Sequence, residues 1–206
     1  MKPIFLALIF MLSGLMAQAQ EGPFLSLGGS TLGATLEAGY RIGPNFGLRG
    51  IVGYGAAGFS GSYSGAPMTG SATIGGYGLL ADVYFGGGAR ISAGGMVPNY
   101  RADLAISGDI TVNGTAFTGV DIAGQIASTR RIAPVLAIGY ARRFPNNWGI
   151  SADFGAMYTG GFVLTASDNS AQIPQVDLDA ELAATNAELG QITILPFIKL
   201  GVSFSF

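Results

Sequence analysis

The chain has 206 residues, of which 34 are glycine and 11% are charged, with a net charge of −2 and neither histidine nor cysteine. Soluble domains carry ~25% charged residues and ~7% glycine, so the composition departs from theirs twice, and the small negative charge excludes a broadly basic nucleic-acid surface. Without thiols there is no disulfide framework and no lipoprotein acylation site; without imidazoles, Ser-His-Asp and Cys-His arrangements and the usual zinc sets are gone.

The N-terminus reads as a secretory leader. Lys2 supplies a one-charge start, residues 4–15 are an almost unbroken apolar run, and Ala17-Gln18-Ala19 is a small-x-small cleavage pattern. The run is too short to span a bilayer as a helix, which takes roughly 20 residues. Residues 1–19 are therefore expected to be removed, leaving one domain over residues 20–206. That domain contains no apolar run of membrane-helix length. Its high mean hydropathy, +0.45 over the whole chain, is spread in alternation, as suits a sheet with one face in lipid.

Three short Gly/Pro/Asn-rich turns, Gly43-Pro44-Asn45, Gly86-Gly87-Gly88 and Pro145-Asn146-Asn147, separate alternating runs. Longer connections at 64–70, 108–130 and 167–191 alternate with them. Strands are predicted over 32–42, 46–63, 71–85, 89–107, 131–144, 148–165 and 192–206. An even-stranded barrel needs one more, and residues 23–29, followed by a tight turn near 28–31, fill the place. The expected fold is all-β: a transmembrane antiparallel up-and-down barrel of eight strands, with short turns at one end and long loops at the other. Residues 108–130 read as an extension of a long loop. A ten-stranded barrel is the alternative, because Ile110, Val112 and Phe117 flank an Asn113-Gly114 turn signal.

Aromatics fall at two heights. Tyr40, Phe46, Phe85, Phe144, Trp148, Phe204 and Phe206 lie near the short-turn end, and Tyr54, Tyr77, Tyr100 and Tyr158 near the other. Ten steps from Trp148 to Tyr158 cover about 33 Å of strand, or roughly 25 Å of height at ~40° tilt, the span between the aromatic girdles of an apolar band. Pro98, Pro134 and Pro196 lie at the upper level, where a residue without an N–H suits a ladder that is ending. Residues 175–190 change to a helical period: Leu178, Leu182 and Leu189 share a stripe, Asp177 is placed to cap and Gly190 to stop. A short amphipathic helix in the last long loop is expected.

Parity then sorts the charges. Glu37, Arg41, Arg49, Asp82, Arg90, Asp153 and Lys199 all face inward if the apolar positions face lipid. Slipping a register by one would put a basic residue into the bilayer, at roughly 2–4 kcal/mol near the midplane. An eight-stranded interior is wide enough only for side chains. A lumenal ion-pair network is therefore expected to close it, with Lys199 paired to Asp153 or Glu37; a narrow ion path is the alternative. Catalysis has no support: each lumenal carboxylate has bases on its own face, and Gly86-Gly87-Gly88 is not followed by the helix a phosphate loop requires. Asp168, Asp177, Asp179 and Glu181 could weakly hold a cation but lack EF-hand spacing. No cofactor or metal is called for.

The closing segment PFIKLGVSFSF, residues 196–206, resembles the last strand of Gram-negative outer-membrane β-barrels. From LGATLEAGYRIGPNFGLR to that closing segment the architecture resembles barrels of the outer-membrane protein A and outer-membrane protein W types, and GGYGLLADVYFGGGARISAGG and APVLAIGY are similar to a group of small proteobacterial outer-membrane barrels to which no activity is assigned. The resemblance implies an outer-membrane address with the short turns in the periplasm, lipid as surroundings, and Phe206 as an assembly signal read by the barrel-assembly machinery. It also implies no enzyme, because barrel deacylases, phospholipases and omptin-type proteases rely on a histidine. Two functional classes remain: a structural or surface-interaction barrel, which would meet an extracellular ligand, and a porin-like pore for small or apolar solutes.

Overall fold

The computed structural model describes residues 22–112 and 114–206; the expected leader lies outside the described residues. Eleven strands form one antiparallel sheet: β1 (Gly22–Ser30), β2 (Gly33–Ile42), β3 (Phe46–Tyr63), β4 (Ala66–Phe85), β5 (Ala89–Pro98), β6 (Arg101–Val112), β7 (Thr115–Ser128), β8 (Ala133–Arg143), β9 (Trp148–Tyr158), β10 (Phe162–Asp168) and β11 (Ile194–Ser205). Eight of them close a ring in the order β1-β2-β3-β4-β5-β8-β9-β11, with β11 returning to β1 through Phe24–Ser205 to Ser30–Lys199. Closure leaves no free edge in the ring and pairs its backbone internally, as a lipid environment demands.

The other three strands stand above the barrel. β3 and β4 run on past the ring and join through Ser64 and Gly65, both at positive φ, a two-residue turn whose twist matches the strands. The predicted loop over 64–70 is thus mostly strand. The predicted single strand 89–107 is two: β5 leaves β4 at Gly76–Pro98 and β6 takes over at Thr73–Arg101. Pro98, with no N–H to donate, ends the first ladder. The predicted strand 148–165 also splits. Gly160 and Gly161 adopt positive φ (75° and 106°) and turn the chain from β9 in the ring to β10, which pairs with β7 outside it. The β6–β7 hairpin closes with Val112 opposite Thr115, but it joins this extension and adds nothing to the barrel count.

The helix, α1, spans Gln175–Leu189 and ends at Gly190. Its N-cap is Pro174 rather than Asp177, and no side chain caps it; Asp177 sits in the first turn, where the helix dipole favours an acid. Leu178, buried, and Leu182, half-buried, pack with Ile110, Val112, Val120, Ile122 and Ile173 on one face of the extension sheet. Of the upper aromatics, Tyr100 departs from the expected girdle. It turns inward against the barrel's apolar core, its hydroxyl donates to the Thr31 carbonyl (3.4 Å), and its ring meets Phe162 edge-on. Pro196 lies within β11 opposite Ala156, above the last β1 pair at Ser30–Lys199, where that edge of β11 has lost its neighbour.

Candidate functional site: a stacked lumen

Alternation along each strand places one parity in lipid-facing exposure and the other inside. The outer face is apolar: Leu27, Leu79, Leu136, Ile138, Phe154 and Leu200 are each more than 60% exposed. Tyr40, Phe46, Phe85, Phe144 and Trp148 are exposed toward the short-turn end, and Tyr54, Tyr77 and Tyr158 toward the other. Phe206 is also exposed. It packs edge-on against Phe204, which meets Trp148 in the same way. A contiguous exposed apolar surface of this size needs a covering medium.

Inside, six charged side chains from six strands meet. Glu37 comes from β2, Arg49 from β3, Asp82 from β4, Arg90 from β5, Asp153 from β9 and Lys199 from β11, and each is at most 3% exposed. Register brings them level: Lys199 is opposite Asp153, Asp153 opposite Gly139, and Gly139 opposite Arg90. Arg49 is the hub. Its guanidinium donates to Glu37 (2.8 Å), Asp82 (3.2 Å), Asp153 (2.9 Å) and the Ser92 hydroxyl (3.0 Å). Arg90 donates to both Asp153 oxygens (2.8 and 2.9 Å). The Lys199 ammonium donates to Glu37 and stands 3.7 Å from Asp153. Three acids and three bases leave the cluster neutral, and the close, multiply hydrogen-bonded geometry is what offsets desolvation. Gly139 makes room for it, since a Cβ there would collide with the Asp153 carboxylate.

Arg41 is not part of this layer. It lies lower, half-buried, its guanidinium 3.9 Å from the centre of the Tyr84 ring and donating to the Pro44 carbonyl (3.0 Å). The hydroxyls of Ser92, Ser151 and Tyr84, which charge parity alone did not single out, complete the network: Ser92 and Tyr84 donate to Asp82, and Ser151 accepts from Lys199.

Directly above the charges lies an apolar plug that sequence reading missed. Leu32, Ile51, Leu80, Met96, Val135, Met157 and Phe197 form one buried cluster inside the ring. Its signal was present. On five strands the plug residue shares the parity of the charge and lies on its long-loop side: Ile51 after Arg49, Leu80 before Asp82, Met96 after Arg90, Met157 after Asp153, Phe197 before Lys199. Below the charges a cavity of about 740 Å³ reaches from the short-turn end up to Glu37 and Arg90. The lumen is therefore a vestibule, a charge layer and a plug.

The loop acids do not converge; no cluster among the described residues could hold a metal ion. Asp179 accepts from Gln175 and Glu181 from Tyr63. Asp168 accepts from the backbone N–H groups of Ser170, Gln172 and Ile173 (2.9, 2.7 and 2.8 Å), shaping the approach to α1. Burial alone would raise its pKa, but these bonds and that of the Ser170 hydroxyl hold it below the usual carboxylate value.

No protein-family model matches the chain, and no curated protein matches it. Solved structures similar to the chain include two from one species. The crystal structure of Acinetobacter baumannii CarO superimposes with a TM-score of 0.60 at 23% identity, over 92% of this chain and 99% of that one. That of Acinetobacter baumannii CarO2 gives 0.62 at 24% identity, over 91% of this chain and all of the other (100%). The likeness spans barrel and extension together and establishes the fold, a transmembrane up-and-down β-barrel.

Proposed function

We propose that this chain is an integral outer-membrane protein with a structural or surface-interaction role and a lumen closed to solutes, not an enzyme. Residues 1–19 would direct export, the short turns would face the periplasm, and the extension would stand outside the cell. The observation that carries the reading is the stacking of two seals, an ion-paired layer and an apolar plug, across the same interior. A permeating solute would have to displace both. The surface role rests on the extension. With α1 over one face, its sheet presents Thr69, Ser71, Arg101, Ala105 and Ser107 outward on the other, with the Arg101–Asp103 pair (3.0 Å) among them. Such a face offers hydroxyls and backbone edges to an extracellular ligand.

Planar-bilayer recording of the refolded mature chain tests closure. No stable openings are expected at physiological salt, and discrete, reproducible openings would replace this reading with the pore. Assembly gives a separate test. Phe206 contributes one exposed ring to the girdle, so Phe206→Ala should leave the melting of refolded protein nearly unchanged while lowering the amount assembled in cells severalfold. Unchanged assembly in cells would remove Phe206 as a signal.

A further inference from the structure

The vestibule has a charge imbalance that the closed lumen does not use. Glu37, Asp82 and Asp153 are spent on Arg49, Arg90 and Lys199. Arg41 and Arg143, which line the cavity, meet no carboxylate among the described residues. Each has a buried Nε with no hydrogen-bond partner. Such a donor, left unmade, carries the full cost of its desolvation. Both guanidiniums are held in place from one side only. Arg41 stacks on Tyr84 and bonds Pro44, and Arg143 donates to Asn147 (2.7 Å) and to the Ser205 carbonyl (3.4 Å). β2 and β8 stand four strands apart in a ring of eight, so the two arginines face each other across the mouth.

We infer that this vestibule is a binding site for a phosphate-bearing small molecule, held between Arg41 and Arg143. Each guanidinium keeps an unpartnered N–H, the donor that a multiply accepting oxyanion needs, and the two stand on opposite walls of one mouth. Ser203 and Ser205 add hydroxyls beside Arg143, and Phe24 offers ring surface for an organic stem. The volume, about 740 Å³, exceeds that of a bare phosphate and lies in the range of ligand pockets. Charge segregation favours entry from this end. The β6–β7 hairpin, α1 and their connections carry Asp103, Asp109, Asp121, Asp168, Asp177, Asp179, Glu181 and Glu188 against Arg101, Arg130 and Arg131, so the opposite end repels an anion. The phosphate has two sources: a soluble phosphate monoester, or a phospholipid headgroup from the adjoining leaflet. Binding does not depend on whether the lumen is sealed above.

Calorimetric titration of the mature protein in a phosphate-free maltoside detergent tests this, with glycerol 3-phosphate, glycerol and dihexanoyl-phosphatidylglycerol as probes. Glycerol 3-phosphate should bind and glycerol should not. Arg41→Gln and Arg143→Gln should each weaken binding tenfold or more, while Arg101→Gln, an equal change of charge on the extension, should not. Binding of the short lipid alone, with the same dependence on Arg41 and Arg143, supports the site and assigns its source to lipid. Because either substitution could hinder folding, arginine modification by phenylglyoxal in the unaltered protein gives a second readout. The bound probe should protect Arg41 and Arg143 and leave Arg101 reactive. No phosphate probe binding, equal heats for glycerol and glycerol 3-phosphate, unchanged affinity in both variants, or no protection would each overturn the inference.

Discussion

Replacing Arg49 with methionine should lower the unfolding free energy by about 3–5 kcal/mol, the range for removing one partner from a buried charge network. Arg49 is 1% exposed and bridges all three lumenal acids. Without it, Glu37, Asp82 and Asp153 retain only Arg90 and Lys199, and a net negative charge is left in a confined interior. Arg49→Lys should recover only part of the loss, because a single ammonium cannot span three carboxylates as a guanidinium fork does. The measurement is urea unfolding in lipid vesicles. The Glu37–Lys199 pair gives the companion test. Lys199→Met alone should cost more than Lys199→Met with Glu37→Gln, with a coupling of about 0.5–3 kcal/mol. A near-zero coupling together with a mild Arg49→Met would mean that water reaches these groups, and the closed-lumen reading would fail.

Phe197→Ala should cost a further class of stability, about 3–5 kcal/mol, by emptying the centre of the plug. Phe197 is fully buried among Leu80, Met96, Met157 and Leu32, and the hydrogen-bonded ring around it cannot collapse inward to refill the space. Leu200→Ala, three residues away but on the lipid face, should cost far less, since its removal leaves lipid to fill the gap. Unfolding of both variants under the same conditions makes the comparison. Equal effects would mean that the plug is loosely packed, and that the charge layer alone bears on closure.

Much of this molecule could be read from a single strand at a time. β3 matches its expected bounds, residues 46–63: Gly43-Pro44-Asn45 and the exposed Phe46 mark its start, and buried and exposed positions alternate through its first half before both faces become exposed above the ring. The placement of Glu37, Arg49, Asp82, Arg90, Asp153 and Lys199 on one parity follows from the period of two and the cost of a charge in lipid. Two kinds of boundary failed: the long loops at 64–70 and 108–130, which continue as strand above the ring, and the points where a strand changes neighbour. At Pro98 and at Gly160-Gly161 the sequence carries a breaker, but the chain is extended on both sides, so the local signal does not say whether the next strand stays in the ring or leaves it. Arg41 failed for another reason: parity gives the face but not the height, and two residues lower than Gly39 put it at the mouth beside Tyr84.

What the sequence determined by itself is therefore local and one-dimensional: the alternation, the short turns, the helix over 175–189, and which face of each strand is polar. These depend on backbone period, turn chemistry and the price of exposing charge, all of which act within a few residues. The tertiary structure alone decided which charges touch, since Arg49 reaches Asp153 across 104 positions of chain. It decided that β6, β7 and β10 build an extension outside the ring, and that the interior is layered into vestibule, charge and plug. Those outcomes depend on the register between strands and on closure of the ring, which set the height and the angle at which each side chain enters the lumen.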